Sequence, residues 1–177
     1  VTESYELNEP DRVTVGTVGE VGERVFLLQV RQGMQLVTMK VEKSQIATLC
    51  QVLGRLLRGL ERPDELPAGS SLELESFTLP DLVVRTLRVG YDADEDRVVL
   101  LCDEIDRAEE PDELEDDDEA VGSSVRMSMT RDQAMALAIR GTELVEAGRP
   151  ICPRCGYPLD PRGHVCPRMN GNAPPLI

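Results

Sequence analysis

Two stretches of this chain can be laid over each other, and that repetition limits the folds open to it. "VTMKVEKSQIATLCQVLGRLL", from Val37, matches "VRMSMTRDQAMALAIRGTELV", from Val125, at a constant offset of 88 residues. Ile46 falls on Ala134, Leu49 on Leu137, Cys50 on Ala138 and Leu56 on Leu144. Upstream, "ERVFLL" matches "DRVVLL" at an offset of 73. The fifteen-residue difference falls where the first half has the short turn "RQG" and the second has an acidic run. Insertions are cheap at loops, because closure entropy grows slowly with loop length. The pattern predicts a duplicated β-β-β-α unit, with half-units at about 11–62 and 80–148. The alternative is two units that share only generic patterning.

Each half reads the same way. "RVTVGTVG" and "ERVFLLQV" are strands joined by a glycine-containing turn, and "RQGM" is a second turn. "QLVTMKV" alternates, with Val37, Met39 and Val41 on one face. The next segment sets Ile46, Leu49, Cys50, Leu53, Leu56, Leu57 and Leu60 on one helical stripe, ended by Pro63 and Pro67. In the second half "VVRTLRVG" and "DRVVLLCDE" flank the turn "YDADE", and "SVRMSM" alternates through Val125, Met127 and Met129. A helix follows, with Thr130 and Gln133 spaced as a capping box and Ala134, Leu137, Ala138, Leu144 and Val145 as its buried stripe. Six strands and two helices predict an α+β domain over 1–149, a mostly antiparallel sheet covered by two helices. "SLELESF", in the connector between halves, is a candidate edge strand.

The net charge of -14 is concentrated. Residues 103–119 hold twelve acids against one arginine, which places an acidic inserted loop at about 103–120. A solvated loop is the plain reading; a docking tail for a basic partner or a nucleic-acid mimic is the sharper one. This segment repels nucleic acid, and with 3% aromatic residues and no Trp the chain is poorly supplied for stacking bases. No apolar run is long enough for a membrane span, and the first ten residues lack the pattern of a signal peptide. Cys50 and Cys102 lie in apolar patterns and read as buried thiols of a cytoplasmic protein.

The remaining cysteines share the tail, 150–177, with the single histidine. Cys152 and Cys155 have the C-x2-C spacing of a metal knuckle, followed by Gly156, which lets backbone amides turn toward the thiolates. His164 and Cys166 complete a Cys3His set, a common structural zinc complement. Only Val165 separates them, so both reach one ion only if the backbone turns locally. Free or regulatory thiols, and a site shared across a homodimer, stay open as alternatives. Four ligands leave no open position, which argues against a catalytic metal. Asp160, before Pro161, is explained by turn formation, and a thioredoxin-like role for Cys152 and Cys155 is disfavoured because the pair follows a helix end. Arg149, Arg154, Arg162 and Arg168 make the module locally basic and suit it to protein contact, or more weakly to nucleic-acid phosphates.

Other sites are weak. Gly16, Gly19 and Gly22 lack the strand–turn–helix context of a phosphate loop and read as a hairpin turn. Asp92, Asp94 and Asp96 lack the glycine and distal glutamate of a calcium loop. Arg85 and Arg88, with Arg97 near, are a candidate anion patch, although ordinary strand arginines read the same.

"VGTVGEVGERVFLLQVRQG", "VEKSQIA" and "GRPICPRCGYPLDPRGHVCPRMNG" together resemble the actinobacterial conserved hypothetical proteins grouped as domain of unknown function 3090. The resemblance runs over almost the whole chain. It implies Cys152, Cys155, His164 and Cys166 as ligands and marks Arg168 and Asn170 as motif members without a role. It carries no reaction with it. The genes of the family commonly neighbour those of a phosphatase-like and a kinase-like protein, which implies a partner of that kind. The leading expectation is a non-enzymatic adaptor with a structural zinc site and Arg154, Arg162, Arg168 and Asn170 as contacts. An enzyme or enzyme subunit acting on a phosphorylated small molecule, held by Arg85, Arg88 and Arg168, is the alternative. Nucleic-acid binding by the knuckle is the third.

Overall fold

The computed structural model describes residues 3–20, 22–61, 72–75, 79–104, 122–148, 152–157, 159, 166 and 168. The elements are β1 (Ser4–Leu7), β2 (Arg12–Val18), β3 (Val25–Gln32), β4 (Gln35–Val41), α1 (Lys43–Arg58), β5 (Leu82–Val83), β6 (Thr86–Asp92), β7 (Arg97–Asp103), β8 (Ser124–Met129) and α2 (Arg131–Glu146). The class is α+β, as the sequence implies, but the strands form two four-stranded sheets rather than one. The first has the order β2-β3-β4-β5 and the second β1-β8-β7-β6.

The edge pairings explain the split. Each half makes an antiparallel meander, β2-β3-β4 or β6-β7-β8. The outer edge of β4 is taken by β5 and that of β8 by β1, both in parallel. Neither meander can then extend into the other along that edge. The added strands come from the opposite half: β1 precedes the first meander yet joins the second, and β5 precedes the second yet joins the first. Leu7 lies opposite Met127 and Leu82 opposite Met39. All four are buried.

One apolar core joins both sheets and both helices. Alternation drives it: Val37, Met39 and Val41 of β4 point inward, as do Val98, Leu100 and Cys102 of β7 and Val125, Met127 and Met129 of β8. Ile46, Leu49, Leu53 and Leu57 bury the α1 stripe, with Cys50, Leu56 and Leu60 partly covered. On α2 the buried line is Ala134, Ala136, Leu137 and Gly141, with Ala138, Leu144 and Val145 at its margin. Gly141 has no room for a side chain: a Cβ there would lie 2.5 Å from the Cys50 sulfur and 3.2 Å from Ile46 Cγ2. The helices therefore touch through a glycine.

Both helices start with a reciprocal cap. The Thr130 amide donates to Gln133 Oε1 at 3.0 Å, and the Gln133 amide returns to Thr130 Oγ1 at 3.4 Å. The same device, unmarked by a Ser or Thr, opens α1, where the Glu42 amide donates to Gln45 Oε1 at 2.8 Å. At the other end the Gly59 amide bonds Leu56 O and the helix stops at Arg58. Pro63 and Pro67 lie outside the described residues, as does the acidic run from 105 to 121. Asp103 and Glu104 belong to the sheet margin instead. Asp103 is 3% exposed and ion-paired to Arg88 at 2.8 Å, so the loop begins after them.

The outward face of the first sheet is not exposed. Thr14, Leu27, Gln29 and Thr38 are buried there, under residues 72–75 of the connector. That segment adds no strand. Leu74 sits over Gly16, where any Cβ would collide with it. The Leu72 carbonyl accepts from Thr14 Oγ1, the Glu75 amide donates to Gln29 Oε1 at 3.0 Å, and the Glu75 carboxylate pairs with Arg31. Gly19 and Gly22, at φ of +97° and +101°, take the left-handed turn expected of a hairpin. In the 92–96 turn, Asp92 Oδ1 accepts from the amides of Asp94 and Glu95, which is turn chemistry rather than calcium ligation.

Candidate metal centre

After α2 the chain forms a tight knuckle. The Gly156 amide donates to the Cys152 carbonyl at 2.9 Å, and the Cys152 amide donates to the Tyr157 carbonyl at 2.8 Å. Gly156 takes φ of +76°, a conformation that costs a glycine little and most side chains more. The turn brings Cys152 and Cys155 to one side, and Cys166 meets them there. The three sulfurs lie within 4.8 Å of one another, with Cys152 Sγ 4.0 Å from Cys166 Sγ. A tetrahedral ion with bonds of about 2.3 Å needs its sulfurs about 3.8 Å apart. Cys152 and Cys166 are buried and Cys155 is half-buried.

The knuckle also prepares the charge state of a ligand. The backbone amides of Cys155 and then Arg154 point at the Cys152 sulfur and bring its pKa down to about 6. Burial raises that of Cys155. Three cysteine sulfurs within reach of one ion are a soft donor set that suits a zinc-like cation. The spacing C-x2-C-G contains the signal for this; the Tyr157 carbonyl, a backbone group, had no side-chain signature.

Of the four ligands expected, the structure brings Cys152, Cys155 and Cys166 together. His164 lies outside the described residues, as do Arg162 and Asn170 among the expected contacts. Arg154 and Arg168 are both exposed. Cys102 is fully buried in β7 and Cys50 sits between the helices, so neither belongs to the cluster. Arg85 and Arg88 do not converge: Arg85 lines a groove between α1 and β6 beside Leu87 and Val89, whereas Arg88 projects from the opposite face to Asp103. No described helix is long and apolar enough to cross a membrane.

No curated protein and no solved structure matches the chain. A family model does, over residues 5–166, a span that runs from β1 to the third cysteine of the cluster. The chain belongs to the family described as a protein of unknown function, DUF3090.

Proposed function

We propose that this chain is a non-enzymatic protein-interaction module whose tail, 150–177, is clasped by a structural zinc ion. Cys152, Cys155 and Cys166 supply three thiolates and His164 the fourth ligand. The observation that carries this reading is the convergence of three sulfurs from two separate parts of the tail. Four protein ligands leave no position for substrate, and the cluster's described surroundings offer no general base, so the ion holds structure rather than doing chemistry. A closed site of this kind couples metal binding to folding of the tail. The exposed Arg154 and Arg168, with Arg162 and Asn170, then form a contact surface for a protein partner, a phosphatase-like or kinase-like protein being the expected class. The separation of Arg85 from Arg88 favours this over an anion-binding enzyme.

The body, 1–149, is read as two copies of one β-β-β-α unit that have exchanged their leading strands. Support comes from equivalent pairs: Leu7 with Met127 and Leu82 with Met39, and two 16-residue helices set 88 positions apart. The ladders align β3 with β7 at an offset of 72, one less than the matching letters suggest.

Cobalt substitution tests the clasp. The full chain should bind one cobalt ion and show the intense sulfur-to-cobalt charge-transfer and visible bands of a tetrahedral thiolate site. Cys166→Ser should abolish or blue-shift them, and His164→Ala should weaken binding while keeping the thiolate bands. A Cys152→Ser protein that bound cobalt with the parent's spectrum and affinity would remove the assignment.

A further inference from the structure

The ladders make Gly16 of β2 and Gly90 of β6 equivalent. Gly16 lies opposite Leu27 and Gly90 opposite Val99, at the same step of their meanders. The equivalence puts two outward faces side by side for comparison. On the first sheet, the space over Gly16 holds Leu74, with acidic Glu73 and Glu75 on either side. On the second sheet no described atom lies within 4 Å of where a Gly90 Cβ would be, and Gly90 is exposed.

The rest of the second face suits a similar guest. Val99 and Leu101, half-buried, form its apolar floor, in the places of Leu27 and Gln29. Arg88 and Arg126 flank Leu101, whose ladder neighbours they are. Arg88 keeps half of its side chain exposed while pairing Asp103. Arg126 bonds Asn8 at 2.7 Å and Ser128 at 3.2 Å, both uncharged partners. Where the first sheet has Thr14 and Thr38 along this row, the second has two guanidinium groups. A carboxylate brought there gains charge-assisted bonds, bidentate where the fork geometry allows.

We propose that the outward face of the second sheet is a docking seat for an extended segment of a partner protein that carries a leucine between two acidic residues. The leucine fills the space over Gly90, and the carboxylates meet Arg88 and Arg126. The leucine takes the place that Leu74 takes over Gly16, but the charges are arranged differently: on the first sheet Glu75 pairs with Arg31, whose counterpart here is Asp103, so the carboxylates are met instead by Arg88 and Arg126, in the places of Thr14 and Thr38. The seat is separate from the cysteine cluster, so it stands or falls independently of the metal.

The test uses the full chain and a synthetic peptide Ser-Leu-Glu-Leu-Glu-Ser, copied from residues 71–76. Titration calorimetry and amide chemical shifts should report saturable binding, with shifts centred on Gly90, Val99 and Leu101. Gly90→Leu fills the seat from within and should weaken binding about tenfold or more, as should replacing the peptide's central leucine by alanine. Arg126→Gln should weaken it at low salt and remove part of its salt dependence. Denaturation curves and zinc content of the same samples separate loss of the seat from loss of the fold or metal. Absence of saturable binding at millimolar peptide overturns the proposal, as does a Gly90→Leu protein that binds like the parent. Binding seen only after deletion of 105–121, which carries its own Glu113-Leu114-Glu115, would give the seat to the chain itself and overturn the partner reading.

Discussion

Gln133 Nε2 donates to the carbonyl of Pro10 at 2.7 Å, tying the first turn of α2 to the start of the other half of the chain. Its counterpart Gln45, 88 positions earlier, does the same from α1 to the carbonyls of Arg85, at 3.0 Å, and Val84, at 3.2 Å. In each case Oε1 caps the helix while Nε2 holds the strand entry, so one amide satisfies a helix end and fastens the exchanged strand.

That dual use predicts a difference between two substitutions. Gln133→Glu keeps the acceptor for the Thr130 amide and loses only the donor, so it should cost about 1–2 kcal/mol. Gln133→Ala loses both bonds and should cost more. Urea denaturation of the two variants, and of the Gln45 pair, measures it. No loss for Glu would mean that the strand-entry bond contributes nothing, and equal losses for Glu and Ala would mean that the cap bond adds nothing.

Two helix glycines should respond oppositely to alanine. Gly54 of α1 has open space where its Cβ would go, so Gly54→Ala should stabilise by about 0.5–1 kcal/mol through helix propensity alone. Gly141→Ala drives a methyl into the Cys50 sulfur and Ile46 and should destabilise by about 1–3 kcal/mol. Thermal or urea melts of the pair give the sign directly.

These contacts show where the sequence was readable. Period-2 alternation at β4 and β8, apolar runs beside turns at β3 and β7, and the 3.6-residue stripe of α1 are local signals, and all became elements. β1 and β5 were missed because they are four and two residues long and owe their existence to parallel partners far along the chain. Hairpin patterning names only adjacent neighbours, so it could not tell one sheet from two. The buried row Thr14, Gln29 and Thr38 defeated the inside–outside rule because the polar face is roofed by the connector. The cysteine spacing carried the knuckle, since C-x2-C-G specifies a local turn; the return of Cys166 to it depended on chain geometry that spacing alone does not encode.

Burial raises the pKa of the Cys102 thiol well above its ordinary value, and the neighbouring Asp103 adds to the effect. The folded state therefore holds this proton more tightly than the unfolded chain, whose thiol ionises near pH ~8.5. The resulting stability is whole below that pH and drains away as pH rises above it, by at most ~1.4 kcal/mol per pH unit for one proton. Cys102→Ala should be less stable than the parent at pH 7, with the gap narrowing by about 1 kcal/mol between pH 8 and 9.5. Denaturation under reducing conditions across that range checks it; a constant gap contradicts it.

The acid side should depend on Asp96. The Arg131 guanidinium, then the Tyr91 hydroxyl, bond its carboxylate and lower its pKa. The contribution is present above the unfolded carboxyl range, near pH ~4, and is lost as pH falls through the depressed folded value. Asn tolerates the φ of +52° found here, so Asp96→Asn isolates the charge. Its stability should fall below the parent's at pH 7, and the gap should narrow as pH is lowered below about 4 toward the depressed folded value. An equal loss across that range would show that the ion pair with Arg131 is not what matters.

The most direct test of the metal clasp is native mass spectrometry of the full chain purified with its metal. A single chain should carry one zinc ion, and Cys152→Ser and Cys166→Ser chains should carry none at the same zinc concentration. A parent chain free of metal after purification in zinc, or an ion found only in a two-chain species, would contradict the clasp drawn from Cys152, Cys155 and Cys166.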